Sequence, residues 1–113
     1  MAIRATTLFE KLWRQHVVAE LDEQTSLLHI DRVFLHERTG SIALASLEQD
    51  GRTVRHPELA FCTMDHIVDT SPTRGDDTPM PGGREFIRTT REAARRFGLT
   101  LFDIHDPNQG IVH

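Results

Sequence analysis

The feature that most constrains the fold is an alternation of short apolar runs with amphipathic helical patterns. A helical pattern over residues 85–97 lies between two apolar runs, residues 59–64 and 99–104. Its apolar side chains recur at helical spacing, and Gly98 follows as a stop signal. Strands that alternate with helices favour a parallel sheet covered by those helices. We therefore predict an α/β fold, a small and mostly parallel sheet with flanking helices.

The first half of the chain continues this alternation with weaker patterns. Thr7 and Glu10 have the spacing of a capping box, which predicts the start of a helix. Residues 33–37 either extend the strand predicted before them or begin a loop. The order is then helix and strand, repeated three times. The remaining predicted elements are helix 7–17, strand 26–32, helix 42–50 and a long loop, rich in proline and glycine, over residues 69–83.

Length and composition bound the protein class. A chain of 113 residues is expected to form one domain, residues 1–113. Its formal net charge of −4 disfavours general nucleic-acid binding, which needs a basic surface. No apolar run approaches the roughly 18–20 residues that span a bilayer, and the first residues lack the apolar region of a signal peptide. We predict a cytoplasmic protein with neither nucleic acid nor membrane as partner.

Cysteine content limits the cofactors that this chain could hold. Cys62 is the single cysteine, so an internal disulfide and a cysteine-rich zinc site are both excluded. An iron–sulfur cluster normally takes three or four cysteines. We therefore expect no metal ligands from this chain alone, and we interpret Cys62 as a small buried residue of its strand.

Reactive side chains follow the apolar run that ends at Met64. Asp65 and His66 come directly after it, where an α/β protein places functional groups. An imidazole titrates near pH ~6.5, and a neighbouring carboxylate fixes its tautomer. Successive strand residues point to opposite faces, so the two can pair only if the strand has already ended. Taken by itself, such a dipeptide is more often a surface turn than a catalytic pair.

A second apolar run, Gly110-Ile111-Val112, leads to His113 at the end of the chain. By itself His113 would be interpreted as a frayed terminus. An apolar run that ends on an imidazole at the last residue suggests that the sequence is part of something larger.

Many short motifs together resemble a known family. In order and spacing they resemble the opening portion of the large subunits of 3-isopropylmalate dehydratases, within the aconitase family. The resemblance covers nearly all of this chain. The matching segments are residues 7–13 (TLFEKLW), 16–18 (HVV), 27–32 (LLHIDR), 35–37 (LHE), 51–52 (GR), 54–55 (VR), 61, 63–66 (TMDH) and 109–113 (QGIVH).

The resemblance implies a hydro-lyase that interconverts 2-isopropylmalate and 3-isopropylmalate by removing and re-adding water. It also implies a [4Fe–4S] cluster in the parent protein, one iron of which acts as a Lewis acid on the departing hydroxyl. A serine base would come from a separate small subunit. The implied partners are that small subunit, the remainder of the large subunit and a small hydroxy-dicarboxylate. Since this chain lacks the cluster cysteines, we expect it to be inactive alone.

The resemblance also implies roles for individual residues. Asp65 and His66 match the family's Asp-His pair, in which the histidine acts as an acid toward the leaving hydroxyl. His113 matches the histidine of a Gly-Ile-(Ile/Val)-His motif in the active site. His36 falls where aconitases have a glutamine that contacts the substrate. The chain has Ile67 where the family usually has asparagine, so the identity of the substituted malate stays open.

A different class of function is also compatible with the sequence. A chain of 113 residues could be a stand-alone small α/β binding or assembly module without catalysis. A sheet cut away from covering segments would expose apolar surface or a strand edge, so we also expect self-association.

Overall fold

The computed structural model of the protein describes residues 5–112, which fall into two compact units that meet between Asp31 and Arg32. Within residues 5–112, no helix is both long enough and apolar enough to cross a membrane.

The first unit begins with a capped helix. Helix α1 (Leu8–His16) follows Thr7, whose hydroxyl accepts the backbone N–H of Glu10 at 3.1 Å. The Glu10 carboxylate in turn accepts the backbone N–H of Thr7 at 2.7 Å. This reciprocal pair satisfies two amides that a helix start leaves without partners. The predicted capping box is confirmed.

The same unit ends in an antiparallel hairpin that the sequence patterns did not predict. Strand β1 (Val17–Asp22) pairs with strand β2 (Thr25–Leu28), with Val17 opposite Leu28. The predicted strand over residues 26–32 was wrong beyond Leu28. Most side chains of both strands are exposed, so backbone pairing forms the hairpin without a buried apolar face that a period-two pattern would reveal.

The second unit contains a parallel sheet of three strands, β3 (Val33–His36), β4 (Ala60–Thr63) and β5 (Thr100–Phe102), in that order, which confirms the predicted α/β class. For residues 33–37 the sequence left a strand extension or a loop open, and the structure has a separate strand, β3, that ends one residue before Glu37. The predicted helices over residues 42–50 and 85–97 are both present with slightly different bounds. The elements are β3 (Val33–His36), α2 (Gly40–Gln49), a 3-10 turn (Pro57–Leu59), β4 (Ala60–Thr63), α3 (Gly83–Phe97) and β5 (Thr100–Phe102).

The core of this unit lies between the central strand and the two helices. Cys62 on β4 has no exposed surface, and it packs in one cluster with Leu44 of α2 and Ala94 of α3. Burial raises the pKa of the Cys62 thiol to about 11. A thiol with so high a pKa stays protonated near neutrality, so Cys62 acts as a small apolar residue, as predicted.

A second apolar cluster lies at the carboxyl ends of the strands. It contains Met64 and Ile67 from the chain after β4, together with Ile87 and Ile104. The start of α3 approaches this cluster closely at Gly83. A Cβ there would come within 2.9 Å of Ile67 and 2.7 Å of Thr78, so only glycine fits without displacing them. The buried side chains of Met64 and Ile67 therefore anchor the segment that follows β4 in the core.

Three phenylalanines cross the sheet. The ring of Phe61 on β4 stacks with Phe34 on β3 at 5.4 Å between centroids, and with Phe102 on β5 at 6.2 Å. Because side chains alternate along a strand, these rings lie on the face opposite Cys62. Phe34 is 42% exposed, so apolar surface is accessible here.

Candidate functional site

The candidate site forms where β3 and β4 end side by side. The two strands are parallel, and His36, the last residue of β3, is in register with Thr63, the last residue of β4. The residues that follow each strand therefore leave the sheet at the same edge. This edge is where ligands bind in open α/β sheets.

Glu37, the residue after β3, is fully buried at this edge. Its carboxylate accepts hydrogen bonds from four consecutive backbone N–H groups after β4. Oε2 accepts from Asp65 at 2.9 Å, and Oε1 accepts from His66 at 2.6 Å, from Ile67 and from Val68 at 3.3 Å. Consecutive amides that converge in this way form an anion-binding concavity, and here the anion is a side chain of the same protein.

Asp65 and His66 form the predicted pair. Strand β4 ends at Thr63, which frees both side chains from the alternation of a strand and confirms the condition for their pairing. The ring nitrogen Nδ1 of His66 lies 2.8 Å from a carboxylate oxygen of Asp65. The Asp65 side chain is 1% exposed, whereas that of His66 is 42% exposed. An ionised carboxylate only accepts, so Nδ1 of His66 carries the proton in this pair.

His36 lies against the same histidine. The imidazoles of His36 and His66 stack with 3.7 Å between centroids and 10° between planes. Nδ1 of His36 accepts the backbone N–H of Arg38 at 3.2 Å, which places the proton of a neutral ring on Nε2. The structure thus brings together three of the four predicted site residues, namely Asp65, His66 and His36.

The fourth predicted residue, His113, lies outside the described residues. The run that leads to it is not a strand, and Ile111 and Val112 are exposed. Its first residue is nevertheless held at the site edge, because the Thr63 hydroxyl donates to the carbonyl of Gly110 at 2.8 Å. The side-chain amide of Gln109 also donates to the carbonyl of Met64.

Sequence patterns missed several residues that build this edge. Arg74, from the long loop after β4, donates to the Gln109 side chain at 3.1 Å and to the Ile104 carbonyl at 3.4 Å. Asp65, Arg74, Gln109 and Ile111 are among the residues that line an open pocket of about 260 Å³. Glu37 could have been suspected, because it follows His36 at a predicted strand end. Arg74 gave no local signal of this kind, and Gln109 entered only through the family resemblance over residues 109–113.

Comparison with known proteins assigns this chain to a family. The family model described as Aconitase family (aconitate hydratase) matches residues 10–113. This chain belongs to the aconitase family. It is 46% identical over 110 residues to a protein of Salmonella typhimurium named 3-isopropylmalate dehydratase large subunit 2. It is 41% identical, also over 110 residues, to 3-isopropylmalate dehydratase large subunit 1 of Bradyrhizobium diazoefficiens.

These matches cover 96% and 97% of this aconitase-family chain, and 23% of the length of each relative. The chain thus spans about a quarter of the relatives that it matches. No solved structure matches it. The resemblance deduced from the sequence motifs is confirmed at the level of the family and of these named relatives.

The side chains of this aconitase-family site can take part in proton transfer and also include possible metal ligands. His36, Glu37, Asp65 and His66 each bring one possible ligand atom within 4.8 Å of the others. Both Glu37 oxygens accept backbone amides, and Nδ1 of each histidine takes part in a hydrogen bond. An exposed imidazole beside a buried carboxylate is suited to give and take a proton.

An iron–sulfur cluster does not fit the residues of this chain. Cluster irons are held by several thiolates, and the sequence contains one cysteine. Cys62 lies in the core with no exposed surface, and its raised pKa opposes thiolate formation.

Proposed function

We propose that this chain is the N-terminal part of a hydro-lyase large subunit that resembles 3-isopropylmalate dehydratase. The reaction would interconvert 2-isopropylmalate and 3-isopropylmalate by dehydration and rehydration, in leucine biosynthesis. The proposal depends chiefly on one observation, the hydrogen-bonded Asp65–His66 pair at the carboxyl edge of a parallel sheet. The 41–46% identity to two large subunits of that name supports the choice of substrate.

In this proposal His66 is the acid toward the leaving hydroxyl. Asp65 accepts the hydrogen bond from Nδ1–H and holds the ring, so the acid is the doubly protonated imidazolium and Nε2 delivers its proton. The C–O bond breaks as the proton passes from Nε2 to oxygen, the hydroxyl leaves as water, and His66 is left as a neutral ring protonated at Nδ1. Rehydration runs the same transfer in reverse. The proton on the neighbouring carbon would pass to a serine of the small subunit.

His36 and His113 have supporting roles in the proposal. The imidazole of His36, which stacks on that of His66, contacts the substrate. His113 is a further residue of the active site. The [4Fe–4S] cluster that family membership implies would be held by cysteines outside this chain. We expect the 113-residue chain by itself to bind no cluster and to turn over no substrate.

The decisive test replaces His66 in the complete large subunit assembled with its small subunit. We expect His66→Asn to lower kcat for 2-isopropylmalate by about 10²–10⁴-fold, the usual contribution of a general acid. His56→Asn is a matched control, since His56 is also a histidine beside a carboxylate, 3.1 Å from Glu58, but is exposed before the 3-10 turn. Turnover by His66→Asn within threefold of the unaltered enzyme would refute the proposal.

The isolated chain provides a second test. Reconstitution of the 113-residue chain with iron and sulfide should give neither a stoichiometric cluster nor isopropylmalate turnover. A stoichiometric cluster or measurable isopropylmalate turnover would contradict the proposal that this chain is an inactive part of a larger subunit.

A further inference from the structure

We infer that Glu37 is a positioning residue, whose buried carboxylate holds the backbone of residues 65–68 and so aims the Asp65–His66 pair. The roles of Asp65 and His66 rest on the proposed function. The placement of their backbone by Glu37 is a separate matter that can be measured without turnover.

The hydrogen bonds to Glu37 span a long sequence separation and use both carboxylate oxygens. The four amides belong to residues 28 to 31 positions further along the chain. Three of them donate to Oε1 and one to Oε2. A single side chain therefore fixes where the polypeptide turns after β4, and this turn carries both members of the pair.

Glu37 is itself held in place from another element. The Thr90 hydroxyl, buried on α3, donates to the backbone carbonyl of Glu37 at 3.4 Å. The preceding residue, His36, stacks on the His66 ring at 3.7 Å. Movement of Glu37 would therefore disturb both imidazoles, one through the backbone amides and the other through the adjacent peptide.

Only a carboxylate of this length can accept the whole set of amides. Glutamine has the same size but offers one oxygen, and its NH2 group would face an amide that also donates. Aspartate keeps both oxygens but is one methylene shorter, so it cannot reach the same place without backbone movement. Glu37→Gln is therefore the sharpest substitution, because it changes hydrogen bonding with almost no change of volume.

The first measurement is made on this chain. In the unaltered chain, measured at a pH at which the ring is neutral, the ¹⁵N shifts of His66 should report mainly the tautomer protonated at Nδ1, because that nitrogen donates to Asp65. We expect Glu37→Gln to shift this toward a mixture of the two tautomers. Glu92→Gln is the matched control: it makes the same chemical change at a carboxylate of α3 that is about half exposed and bonds to Arg88, and it should leave the tautomer unchanged.

The second measurement is made on the complete two-subunit enzyme. We expect Glu37→Gln to lower kcat at least tenfold with KM within twofold, because substrate can still bind while the acid is misaligned. Glu92→Gln should keep kcat within threefold. If Glu37→Gln does not fold, Glu37→Asp is measured in the same way, and it should shift the tautomer and kcat in the same directions.

The outcomes separate this inference from the proposed function. A Glu37→Gln chain that folds, with the tautomer of the unaltered chain and kcat no lower than for Glu92→Gln, would overturn the positioning role. If Glu37→Gln changes the tautomer while His66→Asn leaves turnover intact, the placement by Glu37 is supported and the proposed function fails.

Discussion

Two regions of the second unit carry many charges and neutralise them in different ways. On the outer side of α3, carboxylates meet arginines in water: Arg88 contacts Glu85 and Glu92, both at 2.6 Å and both with side chains about half exposed. At the carboxyl edge of the sheet, the carboxylate of Glu37 is buried and is held by backbone amides. On α3 flexible side chains pair with one another, whereas at the sheet edge a side chain is hydrogen-bonded to backbone N–H groups.

The difference shows which charges define a geometry and which mainly cover a surface. Exposed ion pairs contribute about 0–1 kcal/mol each, because water and salt screen them and long side chains must be ordered. A buried acceptor is worth more to the fold, since its removal leaves several amides without partners. Backbone donors also cannot move independently of the chain, so they position a neighbouring group more firmly than an arginine would.

The largest effect is expected when the buried carboxylate of Glu37 is removed. We expect Glu37→Ala to lower the free energy of unfolding of this chain by about 3–5 kcal/mol, since it leaves buried amides without an acceptor. Urea unfolding measures it. Glu92→Ala on α3 is the control, and its urea midpoint should stay close to that of the unaltered chain. Equal midpoints for the two variants would contradict the distinction between the regions.

Arg91 gives an intermediate case, because it is half-buried between the loop after β4 and the end of β5. It contacts Asp76 at 2.9 Å and Asp103 at 2.6 Å, and these contacts hold the pKa of both carboxyls below their ordinary values. A lowered folded-state pKa stabilises the fold above the unfolded pKa of about 3.9 and loses that contribution as the pH falls further.

We therefore expect Arg91→Gln to cost about 1–2 kcal/mol at pH 7, a figure reduced for partial exposure. The difference between the two chains should shrink as the pH falls below about 4 and through the lowered pKa values of the two carboxyls. Urea midpoints measured across pH 2–7 give this curve. A difference that stays constant down to pH 2 would mean that Arg91 acts by packing and not by charge.

The smallest effect is expected for the exposed pairs on α3. Arg88→Gln should change the urea midpoint slightly at low ionic strength, and the change should disappear in about 1 M salt, where screening lengths fall to about 3 Å. The Glu37→Ala deficit should persist at the same salt concentration. Salt dependence of both effects, or of neither, would remove the contrast between the two regions.

The sequence predicted those elements whose local pattern and burial agree. Helix α3 has apolar residues at helical spacing, and the same face, including Ile87 and Ala94, is buried in the structure. The capping box at Thr7 needs only residues three apart. The β1–β2 hairpin was missed because its side chains are mostly exposed, so its pairing leaves little trace in the hydrophobic pattern.

The residues of the candidate site also divide into those with a local sequence signal and those without one. Asp65 and His66 could be predicted, because they directly follow an apolar run and need only the end of a strand to pair. That His36 lies beside them follows from adjacent parallel strands, although the stacking itself could not be foreseen. The role of Glu37 depends on amides some 30 residues away, whose direction is set by the turn after β4. No local pattern encodes that turn.

The long separation between Glu37 and its amides has a consequence for biosynthesis. As the polypeptide emerges from the ribosome, the Glu37 carboxylate must remain hydrated until the segment that begins at Asp65 has followed it out. The hydrogen bond from the Thr63 hydroxyl to the Gly110 carbonyl, 47 residues apart, can form only later still. The site edge is therefore expected to form in two ordered stages during translation, with the Asp65–His66 pair placed before the hydrogen bond at the end of β4 can form.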